Sequence, residues 1–278
     1  MKVQELIDRV VQKCGVVPME RTCDQIIEGK PDAEITGIVT TFMATVDVIE
    51  RAHNLGANFI ITHEPTYFTG DDEREWAQQD PVYLKKRKLI LEYGITIWRM
   101  HDYIHMAVDG DGIYRGLIKE LNWDKYRIAK MDGKERKIIR DSELCYRIPK
   151  TTVESLALEL KNKLHMDVMQ IVGNKDMEVE RVGILVGGGS LGLGKEFMPM
   201  NVMERESLDV LICGEILEWT LCAYVRDAAM MKMNKALIIP GHNRTEEAGM
   251  KYLPAWLQTL APEIPITFVE AGEPFTYL

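Results

Sequence analysis

Apolar and polar positions along this chain follow two periods. Near the N-terminus Val3, Leu6, Ile7, Val10 and Val11 recur at the spacing of one helical face, so the first fifteen or so positions predict an amphipathic helix. Short apolar runs follow at 35–40, 58–62 and 95–99, and each reads as a buried strand. Between them lie helical patterns. One covers 45–55, with Thr45 as N-cap, Val48, Ile49, Ala52 and Leu55 on its apolar face and Gly56 as its stop; another covers 81–93 and ends at Gly94. Strand and helix alternate, which is the pattern of a doubly wound α/β sheet.

The second half repeats the alternation. A helix is predicted over 152–164, strands over 168–172, 180–186, 208–213 and 236–239, a long helix over 217–231, a helix from Thr245 onward and a last strand over 266–269. Two stretches break the pattern. Residues 70–79 are acidic and polar, as an exposed loop or helix start is. Residues 123–149 are charged and irregular, and read as a hairpin-rich connector. The prediction is one unit over 1–278 built of two α/β lobes, approximately 1–125 and 150–235, with 236–278 completing the site. No internal repeat of roughly 20–50 residues interrupts it.

Composition narrows the class. With 278 residues, 46% hydrophobic and 28% charged, the chain can bury a sizeable core. A net charge of −9 argues against coating a nucleic-acid polymer, which needs clustered Lys and Arg, but leaves room for a small anionic substrate in a locally positive pocket. No signal-peptide pattern opens the chain, and no apolar run approaches the roughly 20 residues of a membrane span. Cys14, Cys23, Cys145, Cys213 and Cys222 are odd in number and contain no CxxC. Reduced thiols and a cytoplasmic location are therefore expected, with Cys213 and Cys222 in the core.

The candidate chemistry collects where strands end. Of the six histidines, four lie just past a predicted strand: His63, followed by Glu64; His101 and His105; and His242, with Glu246 four residues later. Open α/β sheets place their ligand crevice at such ends, and imidazole beside carboxylate suits a borderline divalent cation such as Zn, Mn, Fe or Co. His101 and His105 share one face if Asp102 starts a helix. If Thr245 caps the next helix, Glu246 falls in its first turn, where the helix dipole keeps a carboxylate ionised. Taken singly, each of these residues is as well explained by capping or by a backbone hydrogen bond. The run Asp109-Gly110-Asp111 with Glu120 is not a calcium loop, because Ile113 and Tyr114 stand at the ligand and turn-glycine positions. The loop 187–195 matches GxGxxG at Gly187, Gly189 and Gly192, and GxxxxGK from Gly189 to Lys195, but Glu196 stands where a phosphate loop needs Ser or Thr. What survives is a backbone able to hold an anion, with Gly188, Gly189 and Ser190 as candidate substrate-binding residues.

Several of these blocks resemble a known family. Ile35-Thr36-Gly37-Ile38, Gly56 through Pro65, Met100 through His105, Gly187-Gly188-Gly189-Ser190, Cys213-Gly214-Glu215 and Gly241-His242-Asn243-Arg244-Thr245-Glu246 follow, in order, the blocks of the NIF-three-like proteins, also labelled GTP cyclohydrolase I type-2 homologues. The resemblance implies two α/β lobes of NIF-three-like architecture with a dinuclear metal cleft between them and a toroidal homo-hexamer; this chain is too short for the long inserted domain some relatives carry. It also implies metal ligands at His63, Glu64, His105, His242 and Glu246, with His101 orienting a ligand from behind. The family usually has THHP where Thr62-His63-Glu64-Pro65 stands, and HxxxD where His101 to His105 stands. A His has become Glu64 and an Asp has become His105, so the tally of three His and two carboxylates is kept with its members permuted.

The first function implied is a metal-dependent hydrolase with two divalent ions, acting on a nucleotide or other phosphorylated small molecule in a cyclohydrolase-like reaction, with Glu215 as candidate general base. The alternative is a metal-binding assembly or regulatory protein without turnover. A nucleotide-dependent oxidoreductase on Gly187–Gly192 is disfavoured, because no acidic residue completes the dinucleotide motif.

Overall fold

The computed structural model describes residues 1–17, 19–128 and 145–278. By its packing the chain divides into two compact units, Met1–Gly116 with Glu247–Gly272, and Leu117–Glu246 with Glu273–Leu278.

The first unit opens with α1 (Val3–Cys14), which buries Val3, Leu6, Ile7 and Val10 as its periodicity predicts; Val11 is left half-buried. The short strand β1 (Ile26–Glu28) follows, then β2 (Ile38–Thr41), α2 (Val46–Asn54), β3 (Phe59–Thr62), α3 (Pro81–Glu92), β4 (Thr96–Arg99), α4 (Asp102–Met106) and the first half of α5 (Gly112–Leu121). The Thr45 hydroxyl caps α2 by accepting from Val48 N–H. Asp80 does the same for α3, where Pro81 supplies the preset φ of a first helical turn. With β10 (Ile266–Phe268) the strands form one sheet in the order β1-β4-β3-β2-β10, parallel except for the edge strand β1. Strands β2, β3 and β4 are buried at every position, as central parallel strands covered on both faces are. Phe59, Ile60 and Ile61 alone each contribute roughly 1.5–3 kcal/mol of burial. This packing fixes the strand ends level: Thr41 pairs with Thr62, and Thr62 with Arg99.

The second unit holds β5 (Cys145–Thr152), α6 (Val153–Lys163), β6 (Gln170–Val172), β7 (Glu178–Leu185), α7 (Met198–Arg205), β8 (Val210–Cys213), α8 (Ala223–Met230) and β9 (Ala236–Ile239). The sheet order is β5-β7-β8-β9-β6, with β7, β8 and β9 parallel and both edge strands antiparallel. Leu185 pairs with Cys213, so these strand ends are level too. The helix α9 (His242–Leu257) follows β9.

Four local differences from the sequence pattern have physical causes. The connector over 123–149 ends in a strand, since 145–152 form β5; residues 129–144 lie outside the described residues. The helix expected over 217–231 breaks at Thr220, whose φ −104 and ψ −107 are not helical; its hydroxyl bonds Leu217 O, a local alternative to the helical ladder. The last helix begins at His242 rather than beyond Thr245. The strand β1 is a three-residue edge, too short to register as a period. No helix among the described residues is long and apolar enough to cross a membrane.

Candidate metal centre

In the first unit the level ends of β3 and β4 deliver His63 and His101 to the same edge of the sheet. His63 is fully buried, and its Nδ1 lies 3.1 Å from Met100 O. A carbonyl only accepts, so Nδ1 carries the proton and Nε2 the lone pair. His101 is the N-cap of α4, which Asp24 pins by accepting from His101 N–H (2.8 Å), Asp102 N–H (2.7 Å) and Tyr103 N–H (3.1 Å). His101 Nδ1 lies 2.9 Å from Asp102 Oδ1, and Asp102 Oδ2 in turn accepts from the Thr22 hydroxyl and Cys23 N–H. His105 Nδ1 lies 2.8 Å from Asp111 Oδ2, while Asp111 Oδ1 accepts from Ile113 N–H and Tyr114 N–H at the start of α5. One ligand atom of each of His63, His101 and His105 lies within 4.8 Å of the other two. Burial, the largest influence, pulls the His101 pKa below its ordinary value against the opposing pull of Asp102. The Asp102 carboxyl is held far below the usual range, chiefly by its bond to His101.

Glu64 borders this cluster. Its Oε1 is 3.7 Å from His101 Nε2, and its Oε2 is 3.3 Å from an Arg99 guanidinium nitrogen. Cys23 forms a second grouping with His101 and Asp102. Its thiol is pushed up to about 12, mainly by burial, so no thiolate is on offer at neutral pH.

In the second unit the ends of β7, β8 and β9 lead into Gly187, Glu215 and His242. His242 opens α9 and Glu246 follows four residues later, so the two share a helical face. His242 Nδ1 lies 2.9 Å from Glu215 Oε1, and Nε2 lies 2.9 Å from Glu246 Oε2. Because the helix starts at His242, Glu246 sits beyond the first turn, and its charge faces an imidazole more than a helix dipole. Thr245 is no cap either: its hydroxyl donates back to His242 O and accepts from Gly187 N–H. Glu215 is half-exposed and orients the His242 ring. The Ser190 hydroxyl donates to Glu215 O at 2.5 Å, and Gly189 N–H bonds Val186 O, so both hold the loop's shape.

Gly187 is required where it stands. Its φ is +48, and a Cβ there would overlap Glu246 Oε1 and come within 2.7 Å of His242 Nε2. Gly187→Ala is therefore expected to cost about 1–3 kcal/mol in urea unfolding and to push the Glu246 and His242 side chains apart from their present positions. Gly188→Ala is the control, because a Cβ there meets nothing within 4 Å.

Imidazole nitrogens gathered beside carboxylate oxygens fit a borderline divalent cation. Sequence reasoning missed Asp24, Arg99, Asp102 and Asp111. Arg99, Asp102 and Asp111 stand close to the histidines in sequence; Asp24 reaches His101 from far along the chain.

Two α/β units, each with a five-stranded mixed sheet and with imidazole and carboxylate donors just past its parallel strand ends, define the class: an α/β protein carrying candidate metal ligands. More narrowly, the chain belongs to the Duf34/NIF3 (NGG1p interacting factor 3) family, whose sequence profile matches residues 1–274. It is 23% identical over 248 residues to the "GTP cyclohydrolase 1 type 2 homolog" of Clostridium acetobutylicum, covering 88% of this chain and 85% of that protein. Among solved structures, Staphylococcus aureus protein SA1388 is similar at a TM-score of 0.72 and 19% identity, over 100% of this chain and 99% of that one. A Bacillus cereus protein related to NIF3 has a TM-score of 0.72 at 16% identity, with the same coverage. At these identities the structures establish the fold.

Proposed function

We propose that the chain is a metal-dependent hydrolase acting on a nucleotide or other phosphorylated small molecule. In this reading two divalent transition-metal ions (Zn, Mn, Fe or Co) are held by ligands drawn from His63, Glu64, His105, His242 and Glu246. The observation that carries it is the set of anchored rings: His63, His105 and His242 each have Nδ1 engaged by a carbonyl or carboxylate, as metal-ligating histidines do. The name of the Clostridium acetobutylicum relative adds a cyclohydrolase-like reaction as the working chemistry.

Ions bound there supply Lewis acidity and lower the pKa of a bound water. The protein's own groups do the rest. Glu215 holds the His242 ring and, being half-exposed, keeps carboxylate surface open to solvent. That lets it accept a proton from an attacking water. Gly188 and Gly189 offer the anionic part of the substrate a stretch of backbone without side chains, and Ser190 keeps that stretch in place. The proposed assembly is a homo-hexamer, on family resemblance. A cytoplasmic location is proposed with it; all five cysteines are free thiols, four of them buried.

The test is a panel of nucleotides and phosphoesters assayed with and without added Zn, Mn, Fe and Co. Metal-dependent turnover that falls at least a hundredfold in His242→Ala is the expected result. Metal binding without turnover of any substrate would favour the alternative, a non-catalytic metal-binding assembly or regulatory protein.

A further inference from the structure

We infer that the concavity between β6 and the start of α8 binds a planar heterocycle with N–H donors on one edge and an anionic group at the other end, as a guanine nucleotide has. Trp219 stacks on the ring, Glu218 accepts from its N–H edge and Arg226 takes the anion. The inference deepens the proposed function and rests on that reading only for the chemistry at Glu215 and His242; binding itself needs neither metal nor turnover.

Three observations carry it. First, the concavity has a volume of about 710 Å³ and an apolar floor of Val172, Ile216 and Ile239. That is within the roughly 300–1,000 Å³ of small-molecule sites. Second, the helix break at Thr220 shapes its wall. A single π-helical turn, Glu218–Cys222, precedes α8, and such turns are frequent at functional sites. Trp219 lies in that turn and lines the concavity with its indole 72% exposed, an uncovered face on which a flat ring can stack. Third, Glu218 and Arg226 line the same concavity, yet their side chains form no hydrogen bond or ion pair with each other or with any other described residue. A lone exposed charge is ordinary. Two opposite charges that share one apolar concavity without meeting suit a ligand that bridges them, with a donor end for the carboxylate and an anionic end for the guanidinium.

The carboxylate also sets which ring is preferred. An ionised Glu only accepts. Guanine offers it two N–H groups side by side, whereas adenine offers an amino group next to a bare ring nitrogen. Stacking on Trp219 holds either ring, so Glu218 supplies the discrimination. Every lining residue named belongs to the second unit. Ile216 directly follows Glu215, and Ile239 stands three positions before His242, so the floor of the concavity starts next to the Glu215–His242 pair. Arg226 adds a side-chain cation to the backbone of Gly188 and Gly189 as a partner for the substrate's charge.

The full-length chain is titrated calorimetrically, in chelator, with GMP, guanosine, AMP and inorganic phosphate. GMP is expected to saturate one site per chain, ahead of the other three. Trp219→Leu should weaken GMP about tenfold or more through lost stacking. Arg226→Gln should weaken GMP about tenfold and leave guanosine unchanged, because only the phosphate meets the guanidinium. Glu218→Gln should shrink the preference for GMP over AMP. All three side chains are exposed, so the far-UV circular dichroism should not change. The proposal is overturned if GMP does not bind in chelator, or if Trp219→Leu and Arg226→Gln both leave its affinity as it was. It is also overturned if sedimentation shows that Trp219→Leu splits an assembly while GMP fails to bind, since the face would then join copies of the chain. GMP binding with no turnover of any nucleotide removes the hydrolase reading and leaves the site standing. Metal-dependent turnover of a guanine nucleotide with KM unchanged in both variants overturns the site and leaves the hydrolase.

Discussion

Arg99→Met is expected to destabilise the metal-free chain by about 3–5 kcal/mol, the cost of removing one partner of a buried ion pair. Arg99 is only 4% exposed at the end of β4. Its guanidinium donates to His63 O at 3.2 Å, to Gly70 O, and to Glu64 Oε2 at 3.3 Å. The fork thus ties the strand-exit backbone, the loop beyond it and the Glu64 carboxylate beside the histidine cluster. Methionine fills the volume but leaves two carbonyls without this donor and the Glu64 charge without this cation. Lysine restores the charge without the fork, so Arg99→Lys should recover part of the loss. Urea unfolding in chelator measures the effect, and a double-mutant cycle with Glu64→Gln isolates the pair. A loss below about 1 kcal/mol in Arg99→Met, typical of an exposed pair, would mean the guanidinium does not balance Glu64.

The second large effect is in pH. Lys86 is 6% exposed, with Nζ donating to Thr66 O at 2.6 Å. Burial lowers its pKa from 10.5 to about 8, against the opposing pull of Asp72. The folded pKa lies below the unfolded one. Between about 8 and 10.5 the unfolded chain therefore binds more protons, and stability rises with pH across that window. Below about 8 the charged ammonium is carried as a cost, which fades as the pH climbs. The shift corresponds to about 3 kcal/mol. Other lysines and tyrosines also titrate there, so the measurement is the difference between wild type and Lys86→Met, taken by urea unfolding at intervals from pH 7.5 to about 10.5. The wild type should gain roughly 3 kcal/mol relative to the variant over this span. Parallel curves would mean that Lys86 has an ordinary pKa in the folded chain.

The site was legible in the sequence to the extent that its donors are local. His63 and Glu64 follow an apolar run, His101 and His105 are one helical turn apart, and so are His242 and Glu246. Strand-end placement and i, i+4 spacing are short-range properties, and the structure keeps them in β3, α4 and α9. The start of α9 was not legible. Thr245 followed by Glu246 looks like a cap with an acidic first turn, yet Thr245 is drawn into bonds with His242 O and Gly187 N–H, and the latter is a long-range contact that no local pattern encodes.

The sequence by itself determined the alternation of strands and helices, the burial of β2, β3 and β4, the gathering of imidazoles and carboxylates past strand ends, and membership of the Duf34/NIF3 family. All of these follow from side-chain chemistry repeated at fixed spacings. The tertiary structure alone decided which atoms do what. Asp24 pins α4 from 78 positions away, and Arg99 reaches Glu64 across 35. Met100 O, Asp102 and Asp111 fix which nitrogen of each ring holds its lone pair. Sheet register brings these partners together, because hydrogen bonding between strands sets level ends that sequence distance does not contain.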